Sequence, residues 1–157
     1  MSDQSYLLQR VQPAMVGLID GSLSTLAPIF GIVFYTHKPH AAFVAGLATA
    51  IGAGISMAYS EALSDTGEFT GRGSPFARGA ITGSGTFIGG ILHTLPFLIT
   101  DYHTAVVTAI FVVAFELLAL AVLRSRFFQV SFTRSLAHVT LAGAIIAIVG
   151  TVIGSSA

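Results

Sequence analysis

Residues 13–36 read PAMVGLIDGSLSTLAPIFGIVFYT, a stretch whose one charged side chain is Asp20. At about 1.5 Å per residue, a helix of that length crosses a ~30 Å hydrocarbon core. Four similar charge-poor stretches follow at 41–64, 76–100, 104–123 and 135–156. One such run could be a buried helix of a soluble domain, but five placed nearly end to end leave no polar face. The whole chain agrees: of 157 residues 54% are hydrophobic and 9% charged, against about 25% charged in a soluble domain. Seven basic and seven acidic side chains cancel, and there is no cysteine. This excludes a disordered chain, a disulfide scaffold, a cysteine zinc site and a nucleic-acid partner. The expected class is an all-α integral membrane protein with five transmembrane helices in one domain, surrounded by membrane lipid.

Residues 1–12 are polar and carry no basic-led apolar run with a cleavage site, so the first span is expected to stay in the mature chain. Arg10, Arg72, Arg78, Arg124, Arg126 and Arg134 fall on one side of the five-span topology and Lys38 alone on the other. The positive-inside rule then puts the N-terminus in the cytoplasm and the C-terminus outside. The connections, about 4 to 11 residues each, leave no room for an extramembrane domain. Glycines recur at four-residue spacing in Gly17/Gly21, Gly79/Gly83, Gly85/Gly89 and Gly150/Gly154. That spacing suits close helix packing, within one bundle or across an oligomer seam. Five spans make a thin bundle, so self-association is expected. The string GSGTFIGG lacks the spacing of a dinucleotide loop.

A carboxylate near the centre of a membrane helix costs at least about 2.5–3.5 kcal/mol, so each one calls for a reason. Asp20, Glu61 and Glu116 qualify. Counted from the flanking boundaries, Asp20 lies about 10 Å and Glu116 about 12 Å inside the cytoplasmic surface, with Glu61 near the same end of its span. Three acids at overlapping depth point to one cation site open to the cytoplasm. Met57, Glu61, Asp65 and Glu68 follow at intervals of four, four and three, a single helical stripe. Hard oxygen ligands leading to a thioether suit a transition metal such as Fe2+, Mn2+ or Cu+ better than Mg2+ or Ca2+. Bland alternatives stand beside this. Met57 can be packing, Asp65 and Glu68 a solvated helix end, Glu61 a partner of Arg72 or Arg78, and Glu116 a partner of an arginine or His138. His37, His40, His93 and His103 fall toward the outer side, where a weak exit-side metal site would empty on protonation. His138, one turn inside the last span, reads as a hydrogen-bonded core histidine.

The strings GLIDGSLSTLAPIFG (17–31) and GAGISMAYSEALSD (52–65) resemble the vacuolar iron transporter family, with its DG-x-x-STL and SMA-x-x-E motifs. GGILHTLPFLI (89–99) and TRSLAHVTLAGAIIAIVGTVIGS (133–155) resemble the third and last helices of that family. VQPAMVGLIDGSLSTLAPIF, ALSDTGEFTGRGSP and FELLALAVLRSRF are most similar to the membrane half of bacterial membrane-bound ferritin (iron exporter) proteins. The resemblance implies a homodimer in the bacterial inner membrane whose paired first spans line a path. It implies Fe2+ or Mn2+ leaving the cytoplasm in exchange for protons, with Asp20 as pore acid and Met57 and Glu61 beside it. In two places the chain departs from that pattern. Neither a carboxylate-rich metal-gathering helical domain nor a ferritin-like domain is expected, since about ten residues join spans two and three and twelve precede span one. A separate ferritin-like partner, or a longer parent chain, is the corresponding expectation. The metal candidates are thus Asp20, Met57, Glu61, Asp65, Glu68 and Glu116, with metal as cargo, H+ as coupled ion and no prosthetic group. The rival expectation is a non-transporting membrane anchor that docks a ferritin-like protein. No catalytic constellation is visible, and ferroxidase chemistry would need a di-metal carboxylate set that the chain lacks, so it is not expected to be an enzyme.

Overall fold

The computed structural model describes residues 3–157 and is all-helical, with no strand among the described residues. A short helix α1 (Asp3–Tyr6) and a π-helical turn (Leu7–Val11) lead into α2 (Gln12–Ser24) and α3 (Leu26–Thr36). After α4 (Pro39–Ser64) and a loop comes α5 (Pro75–Leu92), then a 3-10 turn (Leu95–Leu98), α6 (Tyr102–Phe128) and α7 (Phe132–Ser156).

Four segments are long and apolar enough to cross a membrane: the path Gln4–Thr36, α4, α6 and α7. The third expected span is not among them. α5 is only 18 residues long and carries Arg78, Thr82, Ser84, Thr86 and five glycines. Proline shortens it: Pro96 has no N–H to offer the Leu92 carbonyl, and the α-helix stops at Leu92. The first expected span is likewise divided. Pro28 cannot donate to the Ser24 carbonyl, and α2 gives way to α3 at Thr25.

Polar α5 is covered by its neighbours. It packs along α2 on one side and α4 on the other, with Arg78, Gly79, Thr82, Gly83, Gly85, Thr86, Gly89 and Gly90 all buried. The four glycine pairs read from the sequence all turn inward. A methyl on Gly17 or Gly21 would overlap the carbonyl oxygens of Thr82 and Thr86 on α5. One on Gly79 or Gly83 would overlap Ala58 and Gly54 of α4, and one on Gly85 or Gly89 the α2 backbone. Gly150 and Gly154 of α7 meet Ala27 and Gly31 of α3 in the same way. The glycines therefore set bundle packing, the plainer of the two alternatives. Beyond them, a hydrophobic core joins Leu26, Ile29, Phe30 and Val33 of α3 to Phe97 of the 3-10 turn and Ala105, Val106 and Ala109 of α6. The outer faces carry large exposed apolar side chains, among them Ile55, Phe111, Phe115, Leu141 and Ile148, as a surface in contact with lipid requires.

A backbone that cannot yield makes this packing testable. Gly17→Ala and Gly21→Ala should each destabilise by about 1–3 kcal/mol, seen as a lower thermal midpoint in detergent. Gly52→Ala, whose methyl would meet open space, should leave it unchanged.

Candidate functional site

The polar residues within the bundle form three separate arrangements. The first closes the end of α4. The expected stripe Met57–Glu61–Asp65–Glu68 is helical only as far as Glu61, because α4 stops at Ser64 and Asp65 is extended. Asp65 instead folds its own loop: its Oδ1 accepts from the Gly67 N–H at 2.5 Å and the Thr70 hydroxyl at 3.0 Å. Gly67, Gly71 and Gly73 all have positive φ, which is why 66–73, TGEFTGRG, can turn so tightly. Glu68 is exposed on that loop.

Two arginines lock the loop to the helix. Arg72 donates to Glu61 at 2.7 Å and to Asp65 at 2.9 Å. Arg78, fully buried, donates through Nε to Glu61 at 2.8 Å, approaches Asp65 Oδ2 at 3.3 Å, and holds the Gly73 carbonyl at 2.9 Å. From the N-terminal segment, Gln9 donates to the Gly71 carbonyl at 3.1 Å. Loss of water around the Asp65 carboxyl pushes its pKa up. Hydrogen bonds from Thr70, Gly67 and Arg72, with the charge of Arg78, more than reverse this and hold it below the usual carboxylate range. Glu61 and Asp65 each face both guanidiniums, which is the ion-pair alternative for Glu61.

The second arrangement lies at the other end of α5. His93, 1% exposed, bonds through Nδ1 to Glu116 Oε2 at 2.6 Å and through Nε2 to Thr25 Oγ1 at 2.5 Å. The Thr25 hydroxyl in turn lies 2.9 Å from the Gly21 carbonyl. Two expectations are corrected here. His93 is a buried partner of Glu116 and no member of an outward-facing set. Glu116 pairs with His93, since His138 is exposed on α7 and forms no core hydrogen bond. Of the remaining histidines, His37 and His103 flank the Tyr102 ring at 5.0 and 5.1 Å, and His40 stacks on Phe43.

Asp20 is the third. It is half-buried on α2, one position from the Gly21 contact with α5, and has no hydrogen bond or ion pair with any described residue. Met57 is half-buried on α4. Depth counting places the three acids in one site. In the fold, Glu61 is tied to Arg78 and Glu116 to His93, fifteen residues apart along α5, or about 22 Å at helical rise. Among the described residues no three histidine, aspartate or glutamate side chains gather closely enough to hold a metal ion. The His93–Glu116 pair left no local signal in the sequence, as 23 positions separate the two.

Comparison of the chain with protein-family models, with curated proteins and with solved structures gives no match.

The arginine lock carries two predictions. Arg78→Ala leaves Glu61 and Asp65 partly buried with fewer partners, and should cost about 3–5 kcal/mol in thermal or denaturant unfolding. Because folding lowers the Asp65 pKa, its stabilising contribution is complete above the ordinary carboxylate range and is lost as pH falls through the lowered value. A spin label on Glu68→Cys should therefore be immobile near neutral pH and become mobile in acid. In an Arg72→Gln background it should already be mobile at neutral pH.

Proposed function

We propose that this chain is a carrier of the bacterial inner membrane that moves Fe2+ or Mn2+ out of the cytoplasm in exchange for protons. It works as a homodimer of five-span protomers with cytoplasmic N-termini, α5 and the 3-10 turn together forming the third span. The observation that carries the reading is Asp20: a half-buried carboxylate within an apolar helix, without a compensating partner among the described residues. An acid in that position is costly unless a cation, a proton or a second subunit meets it. Cation passage supplies such a partner in the working state. Met57 offers a soft donor suited to Fe2+.

The proposed ligands narrow to Asp20 on α2 and Met57 on α4 within the membrane, with Glu61, Asp65 and Glu68 at the cytoplasmic mouth. Glu116 is committed to His93 and is left out of it. Glu61 and Asp65 become available only when Arg72 and Arg78 let go, so metal entry requires the loop 65–74 to open. Protonation of Asp20 by protons entering from the outer side would release the ion, because a neutral acid no longer balances its charge. A second reading, a non-transporting anchor that docks a ferritin-like protein, is favoured by the absence of any three-ligand cluster among the described residues.

Flux separates the two. Fe2+ entry into proteoliposomes loaded with a metal-quenched dye should depend on an imposed pH gradient. Asp20→Asn should lose at least about 100-fold of it while the protein remains folded. Retained gradient-dependent flux in Asp20→Asn would remove Asp20 from the path, and absent flux in well-folded wild type would favour the anchor. The topology has its own test in this cysteine-free chain: Lys38→Cys and Glu68→Cys should react with an impermeant maleimide from opposite sides of the membrane.

A further inference from the structure

The three contacts around His93 count protons. An oxygen–oxygen distance of 2.9 Å between the Thr25 hydroxyl and the Gly21 carbonyl is a hydrogen bond only if the single hydroxyl proton points at that carbonyl. The hydroxyl oxygen can then only accept from His93 Nε2, 2.5 Å away, so Nε2 carries a proton. Nδ1 and Glu116 Oε2, 2.6 Å apart, would repel as two bare acceptors, so a further proton lies between them. Neutral imidazole plus carboxylate is one proton short of making all three bonds. The arrangement is complete only in the protonated state of the pair.

We propose that His93 and Glu116 form a buried proton-binding site whose occupancy is read out at the α2–α3 break through Thr25. In the loaded state one proton is shared between Nδ1 and Oε2, Nε2–H donates to Thr25, and Thr25 donates to Gly21. When the pair loses one proton, it is the Nε2 proton that goes, and the shared proton stays on the imidazole as Nδ1–H, bonded to the carboxylate. Nε2 becomes an acceptor, and the Thr25 hydroxyl turns to it and releases the Gly21 carbonyl. One proton is lost, one hydroxyl proton reorients, and no covalent bond other than those to hydrogen changes. The bond released is at the residue after Asp20, on the helix that meets α5 through Gly21.

The surroundings favour a proton over a metal ion. Glu116 and His93 are 7% and 1% exposed, and Glu116 Oε1 is buried without a hydrogen-bond partner. Glu116 borders a cleft of about 190 Å3 between α2, α5 and α6, in which Ser22 and Glu116 are the polar side chains. Of the other titratable groups on the packed elements, Asp20 lies on α2 and is half-buried, and Tyr35 on α3 is exposed. Arg78 on α5 is held by Glu61, and α4 has no titratable side chain between His40 and Tyr59. On α6, Arg124 follows Glu116 by two turns, and on α7 Arg134 and His138 are exposed. The inference goes beyond the transport reading by placing a proton on residues that hold no metal. It would supply the exchanged proton if that reading is right, and its test requires no transport.

The test is 15N NMR of histidine-labelled full-length protein in nanodiscs, with the four exposed histidines replaced (H37Q, H40Q, H103Q, H138Q) so that His93 reports alone. At low pH Nε2 should be protonated and Nδ1 should be either protonated or in a strong hydrogen bond. As the pH is raised, His93 should pass to the Nδ1–H form with Nε2 unprotonated. Glu116→Gln, whose amide can donate to Nδ1, should hold the Nε2–H form throughout and abolish the change. A wild-type His93 that is Nδ1–H at every pH, or that does not change at any pH at which the protein stays folded, would overturn the proposal. If Glu116→Gln fails to fold, the wild-type spectra alone decide.

Discussion

The contact on which this structure depends is the one between the backbones of α2 and α5. With no side chain at Gly17, Gly21, Gly85 or Gly89, each helix reaches the carbonyl row of the other, and van der Waals contact over that surface stabilises a pairing that lipid exclusion alone does not drive. α5 needs such a cover, because Thr82, Thr86 and Arg78, all buried, make it a poor helix to expose to hydrocarbon. Once it is held, its two ends are placed. Arg78 begins the helix beneath the Glu61–Asp65 loop, and His93 ends it against Glu116 and the break at Thr25. Asp20 lies at the edge of the same contact, next to a glycine that cannot be enlarged.

Charge is distributed along this axis in a consistent way. At one end two carboxylates meet two guanidiniums, and the loop TGEFTGRG closes over them. At the other a carboxylate meets an imidazole inside the bundle. Between them stands Asp20, with no partner among the described residues. Buried ion pairs do little for net stability when compared with apolar packing, so the lock on Glu61 is better understood as fixing one arrangement of the loop. The same ligands cannot serve arginine and a metal ion at once.

The membrane class and most helix positions were legible from charge-poor length alone, because α4, α6 and α7 need little more than apolar residues in sufficient number. The inward turn of the glycine pairs was legible as the plainer alternative, since four-residue spacing places both glycines on one face whatever they meet. α5 was harder. Its hydropathy is diluted by the glycines and hydroxyls that let it pack, so a reading by length gave it more of the chain than the α-helix occupies. The Met57–Glu68 stripe assumed a helix continuing past Ser64, whereas Asp65 found better partners in Gly67, Thr70 and the arginines. His93 and Glu116 were each visible as unusual residues. Their pairing depended on how far α5 reaches before Pro96, a tertiary fact without a local signature. Asp20 needed no tertiary information: a lone acid in residues 13–36 is conspicuous in either view.

The central claim is that Asp20 meets the transported ion, and the most direct measurement is anomalous X-ray diffraction from crystals soaked in Mn2+. The account predicts an anomalous peak within coordination distance of the Asp20 carboxylate, lost in Asp20→Asn crystals. Well-occupied Mn2+ confined to the Glu68 loop or the outer histidines, with nothing beside Asp20, would contradict it.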